Sequence, residues 1–280
     1  MQHLLSTLMS VTVAVLVTAS CATESPKTPV MPVIEGWIDS DGFPVVQFTA
    51  SIIPGQDESN LEDKILNWGK VTIDDGEKTV IMTGGPAKNY FPPYRYYTYN
   101  MKGQPGRTYT VTAEYEELIA RASCTMPEPT PIDSIRLEPI EGNDTLRAAT
   151  LCFTAPKDCP AHYYVTLRKA ERGERPYPAM LSTVEVTQPG LTVEIPVLNP
   201  KNALIGKKTD FVPQLIVGQE VVISLCRITP EVYQFWKDYE NFVLFGGSQF
   251  VSAGSLHGNI VGGYGIWSAQ GASEYYLKVE

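Results

Sequence analysis

Histidine is scarce in this sequence, and its scarcity limits the catalytic chemistry that the chain can carry. Three histidines occur among 280 residues, and His3 lies in an N-terminal segment that reads as a removable leader. His162 and His257 are then the imidazoles left for general-base or metal-binding roles. The Gly-x-Ser-x-Gly turn that presents the nucleophile of many hydrolases is also missing from the sequence. The pattern therefore does not favour a serine hydrolase.

Basic charge is also in short supply. The chain has 22 lysines and arginines against 31 aspartates and glutamates, which gives a net charge of -9. A protein that binds phosphate backbones needs the opposite sign, so nucleic acid is not an expected partner. The hydrophobic fraction of 43% is that of a globular protein, and the 22 glycines and 22 prolines favour short strands joined by turns over long helices.

A long apolar run is confined to the start of the chain. Residues 4–20 carry no charge, and this stretch is short for a bilayer-spanning helix, which needs about 20 residues. Such a segment is typical of an export signal. We therefore expect residues 1–20 to be a signal peptide that is absent from the mature protein.

Cys21 directly follows the small residues Ala19 and Ser20, and this junction resembles the lipobox of bacterial lipoproteins. The resemblance implies that the Cys21 thiol is diacylated and that the chain is cut just before it. Residues 21–32 contain three prolines at three-residue spacing and read as an extended, lipidated tether. We expect the lipid to attach the protein to the outer membrane, with display at the cell surface left open, and plain secretion is the alternative.

The rest of the chain consists of β-branched and aromatic runs separated by turn residues. Residues 33–125 predict a β-sandwich domain of immunoglobulin-like or transthyretin-like type. Alternating prolines at 126–131 predict a hinge of polyproline II geometry. Residues 132–280 predict a second, mainly β domain. The expected fold class is mainly β, with two β-sandwich units and one amphipathic helix in the second.

That helix has a clear start signal. Thr229 is a favourable N-cap, Pro230 suits the first helical position, and an acidic residue follows where the helix dipole favours it. Apolar residues then recur at spacings of three and four from Val232 onward, which predicts an apolar stripe over a helix near residues 230–243. We expect this stripe to pack on the sheet.

Four cysteines remain after Cys21. An even number in an exported protein is compatible with disulfides. Cys152 and Cys159 flank a predicted loop between two strands, so they are the best candidates for a pair, and free buried thiols are the alternative. Cys159 and His162 have ligand-like spacing, but two further ligands would be needed, and no metal or cofactor is predicted.

Aromatic residues are concentrated between residues 90 and 99, where five tyrosines and one phenylalanine occur. Exposed rings there could stack on sugars or on partner loops. Because side chains of a strand alternate between its faces, about half of these rings are expected in the core. The loop around Tyr90 and Tyr94 is the candidate platform for a glycan or peptide ligand.

Five motifs are spread over most of the chain: VIEGWI at 33–38, GQPGRTY at 103–109, MP leading to PIDSI over 126–135, the tyrosine-containing helix at 229–239 and NIVGGYGIW at 259–267. Together they resemble a known family of Bacteroidetes lipoproteins, domain of unknown function four-two-four-nine, whose members are usually encoded beside SusC-like TonB-dependent receptors. The resemblance implies a non-enzymatic outer-membrane or surface lipoprotein that assists nutrient uptake. The family supplies no catalytic residues to carry over.

Two other function classes remain open from the sequence. Bacteroidetes fimbrial subunits are also lipoprotein precursors with two β-sandwich units, but no arginine lies between Cys21 and Arg95 for the cleavage that releases a polymerising strand. A non-polymerising fimbrial anchor or adhesion subunit is the form of that alternative that survives. A surface glycan hydrolase would require two paired carboxylates, and sequence spacing pairs none across strands.

Overall fold

Most of this structure consists of strands in which apolar and polar residues alternate. Such alternation is typical of a strand that buries one of its two faces. The computed structural model describes residues 29–52, 61–200, 212–245 and 256–280. The predicted signal peptide, Cys21 and the tether up to residue 28 lie outside the described residues. Residues Met31–Glu280 form one compact unit. Among the described residues, no helix is both long enough and apolar enough to cross a membrane.

The described elements are seventeen strands, one α-helix and a short 3-10 turn at Leu61–Lys64. The strands are β1 (Pro32–Asp39), β2 (Val45–Ala50), β3 (Lys70–Asp74), β4 (Thr79–Ile81), β5 (Thr83–Pro86), β6 (Tyr94–Tyr97), β7 (Thr108–Tyr115), β8 (Leu118–Thr125), β9 (Ser134–Ile140), β10 (Asn143–Thr154), β11 (Ala161–Lys169), β12 (Tyr177–Pro178), β13 (Val184–Val186), β14 (Thr192–Pro196), β15 (Leu215–Ile216), β16 (Glu220–Ile228) and β17 (Tyr264–Lys278). The helix, α1, is Pro230–Phe245.

Within the described part of the chain, the strands form three sheets. The largest has nine strands in the order β12-β11-β16-β17-β1-β2-β6-β5, with β13 also paired to β11. A second sheet has the order β4-β3-β7-β8, and a third has the order β14-β10-β15 with β9 paired to β10. The predicted fold class, mainly β with one amphipathic helix, is confirmed.

The long strand β17 joins the two ends of the chain. Its first half pairs in parallel with β1, in a register that places Val33 beside Tyr264 and Gly36 beside Trp267. Its second half pairs antiparallel with β16. The two segments that were predicted to form separate sandwich units therefore share the largest sheet. The division into domains at 126–131, between β8 and β9, stays a prediction.

Pairing also shows which side of the largest sheet each residue faces, because directly paired residues point the same way. Ile34 and Ile38 face the β3-β7-β8 sheet, and they pack with Val71 and Val111 in one hydrophobic cluster. On β11, Tyr163 and its alternating neighbours pack with the β10 sheet in a second cluster. The two small sheets thus cover one face of the largest sheet, which leaves the opposite face for α1.

Trp267 is the largest side chain of the first cluster and has no exposed surface. Its indole Nε1–H donates to the carbonyl oxygen of Tyr109 on β7 at 2.9 Å. Its own backbone is held on both sides by Asn259, whose Oδ1 accepts from the Trp267 N–H at 2.9 Å and whose amide donates to the Trp267 carbonyl at 2.8 Å. An ideal Cβ at Gly36 would lie 3.0 Å from the Trp267 ring. Because Gly36 has no side chain, the Trp267 indole can pack directly against its backbone.

Helix α1 begins and packs as the sequence predicts. The Tyr233 N–H donates to the Thr229 carbonyl at 2.9 Å, which closes the first turn. Val232 is fully buried, and Trp236 stacks on Tyr164 of β11 with ring centroids 5.1 Å apart. The predicted helix near 230–243 and its apolar stripe are therefore confirmed, and the helix ends at Phe245.

Strand β17 is the element that differs most from the sequence expectation. The apolar pattern predicts two strands, at 260–267 and 275–279. The residues between them from Ser268 to Ala272, which are small apart from Gln270, lie in the centre of the sheet between β1 and β16 and are mostly buried. Small side chains there match the close packing of neighbouring elements, so a stretch that resembles a turn in composition continues as a strand.

Gly265 provides a direct test of the β1–β17 junction. Its φ is +104°, and an ideal Cβ would lie 1.9 Å from the Ile34 carbonyl oxygen. We expect Gly265→Ala to lower the free energy of unfolding by about 3 kcal/mol or more, because backbone strain and a steric clash act together. Urea denaturation measures the loss.

Gly106→Ala is the matched control for that measurement. Gly106 has φ +80° but open space around its Cβ position, so only the left-handed backbone conformation opposes the substitution, at about 1–2 kcal/mol. Equal losses for the two variants would show that the contact between the strands at Ile34 does not constrain the fold.

Candidate functional site

A cavity of about 940 Å³ lies between α1 and the free face of the largest sheet. This volume is at the upper end of the range for small-molecule sites, about 300–1,000 Å³. Most of its lining comes from four parts of the chain: the start of β1, the segment 175–183, residues 235–244 of α1 and the segment 256–266. Most of the lining side chains are aliphatic or aromatic, so the cavity is predominantly apolar.

The floor of the cavity is the sheet itself. Val33 and Glu35 of β1 pair with Tyr264 and Ile266 of β17, and these residues share the sheet face that α1 covers. Tyr164 of β11 extends the floor, and its hydroxyl donates to Gln270 Oε1 at 2.8 Å. Burial raises the pKa of the Tyr164 hydroxyl well above its ordinary value. The ring of Tyr164 therefore lines the cavity while its polar end is used within the protein.

Helix α1 forms one wall, because its apolar residues recur once per turn. Trp236 stands between Tyr164 and Tyr239, and it meets the Tyr239 ring edge-on at 5.6 Å. One turn further, Val243 continues the same wall. Burial raises the pKa of Tyr239, and the nearby Glu35 carboxylate raises it further while Arg175 lowers it. The Tyr239 phenol is therefore neutral at physiological pH.

The segment 175–183 forms the facing wall and is fastened to α1 by Glu240. The Glu240 carboxylate accepts from the backbone N–H groups of Ser182 and Thr183, at 2.7 and 3.1 Å, and from the Thr183 hydroxyl. The Ser182 hydroxyl is fully buried and donates to the Ala179 carbonyl at 2.8 Å. These polar groups are thus occupied by internal hydrogen bonds, and they fix the wall in place.

The segment 256–260 closes the cavity from a third side. His257 is bound to Asp238 of α1 through its ring Nδ1, at 2.7 Å, and through its backbone N–H, at 3.2 Å. The histidine holds the pKa of Asp238 below its ordinary value, against the raising effect of burial. Leu256 and Ile260 on either side of this contact line the cavity.

Besides Glu240, an ion pair between Arg175 and Glu35 lies at the cavity. Arg175 donates to the Glu35 carboxylate through Nη2. The guanidinium also lies over the ring of Tyr90, with its carbon 5.5 Å from the ring centroid, and Tyr90 in turn stacks on Trp37. An arginine that is held on an aromatic face is restricted in orientation. The row Trp37, Tyr90, Arg175 and Glu35 therefore forms a rigid polar end to an apolar space.

Two buried donors near this space have no hydrogen-bond partner among the described residues. They are the Trp236 indole Nε1–H and the Arg175 Nε–H, and both residues line the cavity. Buried polar groups are satisfied in the great majority of cases, so an exception calls for an explanation. Both groups are donors, which an acceptor atom would satisfy.

The predicted ligand platform at Tyr90 and Tyr94 is not an exposed surface. Tyr90 is 6% exposed, because it is enclosed by Trp37, Arg175 and Arg95. Tyr94 is half-buried, and its hydroxyl donates to the Asn67 carbonyl at 3.1 Å. The prediction that Tyr90 is exposed is therefore wrong. Tyr90 belongs instead to the rings of this region that are buried in the protein.

The same loop nevertheless reaches the cavity through a different residue. Phe91 is 66% exposed and lines the cavity mouth. Leu181, Leu244 and Tyr264 also line it and are exposed. The apolar lining thus continues outward onto the surface as a rim of large side chains.

The other candidate residues lie away from this cavity. Cys152 and Cys159 are free cysteines: Cys152 is buried on β10, where it accepts from Arg136 at 3.3 Å, and the Cys159 thiol donates to the Pro156 carbonyl at 3.3 Å. The predicted disulfide between them is not formed in this structure, and the free-thiol alternative describes both. Cys21, the predicted lipidation site, lies outside the described residues.

The two histidines are used in structural contacts. His162 is buried against Tyr233 of α1, with ring centroids 4.8 Å apart, and lies near Glu185. His257 binds Asp238 as described above. Over the described ranges, no group of three or more His, Cys, Asp or Glu residues is arranged to hold a metal ion.

Sequence reasoning missed Arg175, Glu240 and the cavity itself. One signal pointed towards the site: three of the motifs that carry the family resemblance, 33–38, 229–239 and 259–267, contribute lining residues. Arg175 and Glu240 lie in segments without a motif, and only the tertiary fold brings them to the cavity.

Comparison with known proteins identifies a family and no activity. The family model described as Domain of unknown function (DUF4249) matches residues 21–275. No curated protein matches the chain. Among solved structures, a segment of two fibronectin type-III domains from chicken tenascin is aligned over 90% of this chain and 100% of its own, with 11% identity and a TM-score of 0.23.

The burial of Tyr90 can be tested by its contribution to stability. We expect Tyr90→Ala to lower the free energy of unfolding by about 3 kcal/mol, because the substitution leaves a cavity between Trp37 and Arg175. Tyr99→Ala is the matched control, since Tyr99 is 66% exposed, and it should cost under about 1 kcal/mol. Thermal and urea denaturation measure both. If Tyr90→Ala proves as mild as the control, Tyr90 is a surface residue after all.

Proposed function

This chain belongs to the family described as Domain of unknown function (DUF4249), and we propose that it is a lipid-anchored outer-membrane or cell-surface protein that binds a small, mainly apolar ligand. In this proposal, Cys21 carries the lipid and the cavity beneath α1 holds the ligand. The protein acts as an accessory to nutrient uptake beside a TonB-dependent receptor.

The cavity is the observation that carries the binding proposal. A well-formed apolar cavity with a few convergent polar groups is the usual form of a small-molecule site. Here the walls are fixed by Glu240 and by the contact between His257 and Asp238, so the space does not depend on a ligand to hold it open. Burial of apolar ligand surface would provide the main driving force, at roughly 25 cal/mol per Å².

The lining also selects among the ligand classes that the sequence left open. A glycan would present many hydroxyl groups, which require polar partners when they are buried. The polar groups of Tyr164, Ser182 and Glu240 are already used within the protein. An apolar or amphipathic molecule, or a large apolar side chain of a peptide, therefore fits better than a sugar.

The accessory role beside a receptor derives from the family resemblance and from the predicted anchor. A tethered protein with a binding cavity would raise the local concentration of its ligand near a membrane receptor. The net charge of -9 is repelled by an anionic membrane surface, which leaves the lipid as the point of attachment.

A fimbrial anchor or adhesion subunit remains the alternative binding role. Polymerisation by release of the first strand would require β1 to leave the sheet. β1 lies between β17 and β2, with alternate side chains buried, so its release would break two ladders at once. A non-polymerising form of that alternative is the one compatible with this arrangement.

A glycan hydrolase would require two carboxylates at one site, and Glu35 and Glu240 do line the same cavity. Arg175 donates to Glu35, and two backbone N–H groups donate to Glu240. Both carboxylates therefore already act as hydrogen-bond acceptors within the protein. Neither is arranged as the proton donor that glycoside cleavage needs, and the binding role is the better supported one.

A neutral apolar fluorophore, 1-N-phenylnaphthylamine, tests the binding cavity. We expect saturable fluorescence enhancement with about one site per chain. Val243→Trp and Met180→Trp, which fill the cavity from two different walls, should each weaken binding at least tenfold, a change of about 1.4 kcal/mol.

Asn241→Trp is the control, because Asn241 is exposed on the same helix. Circular dichroism shows whether each variant is folded. Unchanged binding in both folded cavity variants, or equal weakening in the control, would place the fluorophore elsewhere and contradict the proposed site.

The anchor is tested separately by metabolic labelling with a palmitate analogue. The wild-type chain should be labelled and recovered with outer membranes, and Cys21→Ser should lose the label because the acylated thiol is absent. Cys124→Ser should keep it, since Cys124 is buried on β8. Label on the Cys21→Ser chain, or wild-type protein recovered unlabelled in the medium, would contradict lipidation at this residue.

A further inference from the structure

We propose that the ligand of this cavity is a single-chain amphiphile whose carboxylate is bound by the Arg175 guanidinium and whose hydrocarbon chain lies along α1. This inference rests on the proposed binding function and specifies its ligand class. Its starting point is the uneven distribution of polar groups around the cavity.

The long apolar part of the ligand follows from the walls. Besides Arg175, the rings of Trp236 and Tyr239 and the side chain of Val243 line the cavity from successive turns of α1. This surface is mainly apolar, and the Trp236 indole N–H is its one buried donor without a partner among the described residues. In the facing wall, the segment 175–183, the backbone N–H groups of Ser182 and Thr183 already donate to Glu240 and are not available to a ligand. A molecule with polar groups along its length would lose its hydration there without compensation, whereas a hydrocarbon chain would not.

The polar end of the ligand follows from Arg175. Glu35 accepts a hydrogen bond from Nη2, and the Nε–H is buried without a partner among the described residues. The Arg175 side chain lines the cavity and keeps 22% of its surface exposed. Arginine donates in a planar fork that matches the two oxygens of a carboxylate. A carboxylate head group would use the donor capacity that Glu35 leaves over.

The support behind Arg175 makes the head-group contact specific. The Tyr90 ring lies under the guanidinium and is itself stacked on Trp37. A cation held in this way loses little further conformational freedom when a ligand binds. The buried position of Tyr90, which contradicted the exposed platform, thus gives it a positioning role for Arg175.

The rim accounts for the chain length. Phe91, Leu181 and Leu244 are exposed large apolar residues at the mouth. A chain that extends beyond the cavity would lie against exposed apolar side chains such as Leu181 and Leu244 instead of ending in water. This favours a long chain over a compact ring system.

The experiment compares hexadecanoate with hexadecan-1-ol, which has the same chain and no charge, by displacement of bound 1-N-phenylnaphthylamine at pH 8. We expect hexadecanoate to bind the wild-type mature chain more tightly than the alcohol. Arg175→Gln should weaken hexadecanoate about tenfold, because it removes a charge-assisted hydrogen bond, and should change the alcohol less than twofold.

Two further variants sharpen the result. Arg172 is an exposed arginine shortly before Arg175 in the chain, and Arg172→Gln should leave the binding of both ligands unchanged. Glu35→Gln keeps an acceptor for Arg175 and removes the competing negative charge, so hexadecanoate should bind it about two- to fivefold more tightly. Weaker binding to Glu35→Gln would overturn the claim that Arg175 is available to the ligand.

Failure of this inference can be told apart from failure of the proposed function. Displacement by the alcohol and the acid with equal affinity, unaffected by Arg175→Gln, would overturn carboxylate recognition and leave an apolar binding cavity. Tighter displacement by hexadecylamine than by hexadecanoate would reverse the head-group charge and also overturn it. Absence of fluorophore binding in the wild-type chain would contradict the binding function itself.

Discussion

The parallel ladder between β1 and β17 is the interaction on which the rest of the structure depends. It brings the first and last strands of Met31–Glu280 side by side in the centre of the largest sheet. Trp267 extends from this ladder to β7 and is held by Asn259, so the ladder is tied to the small sheet on one face. On the other face the same ladder forms the cavity floor, where Glu35 and Ile266 are paired neighbours. The register of the β1–β17 pairing therefore determines both the packing of Trp267 in the core and the position of the residues that form the cavity floor.

The two faces of the largest sheet therefore have different roles, one in the hydrophobic core and one at the candidate site. The face towards the small sheets is filled by interlocking side chains, as a stable core requires. The face towards α1 is only partly filled, although Tyr164, Trp236 and Tyr239 are large rings. The helix is kept from collapsing onto the sheet by polar contacts at its edges, with Glu240 bound to the 182–183 backbone and Asp238 bound to His257. These contacts maintain the space that we propose as a binding site.

Strands were predictable from the sequence because their signal is local. Apolar and polar residues alternate over Thr108–Tyr115, which forms β7 with one buried face, and the start signal at Thr229 and Pro230 lies where α1 begins. Both signals depend on neighbouring residues only. β17 was predicted as two strands, because its buried middle, which is small apart from Gln270, has the composition of a turn. The cavity could not be predicted at all, since Arg175 meets Glu35 across 140 positions of the chain. Tyr90 shows the same limit: its aromatic loop was noticed, but burial by Trp37 and Arg175 depends on tertiary packing.

Hydrogen–deuterium exchange with and without 1-N-phenylnaphthylamine tests the central claim, that the space between α1 and the sheet binds a ligand, most directly. The account predicts slower exchange on ligand addition in peptides covering 175–183, residues 235–244 of α1 and 256–266, with no change in the β3–β4 hairpin on the far sheet. Protection confined to that hairpin, or no protection at saturating fluorophore, would contradict it.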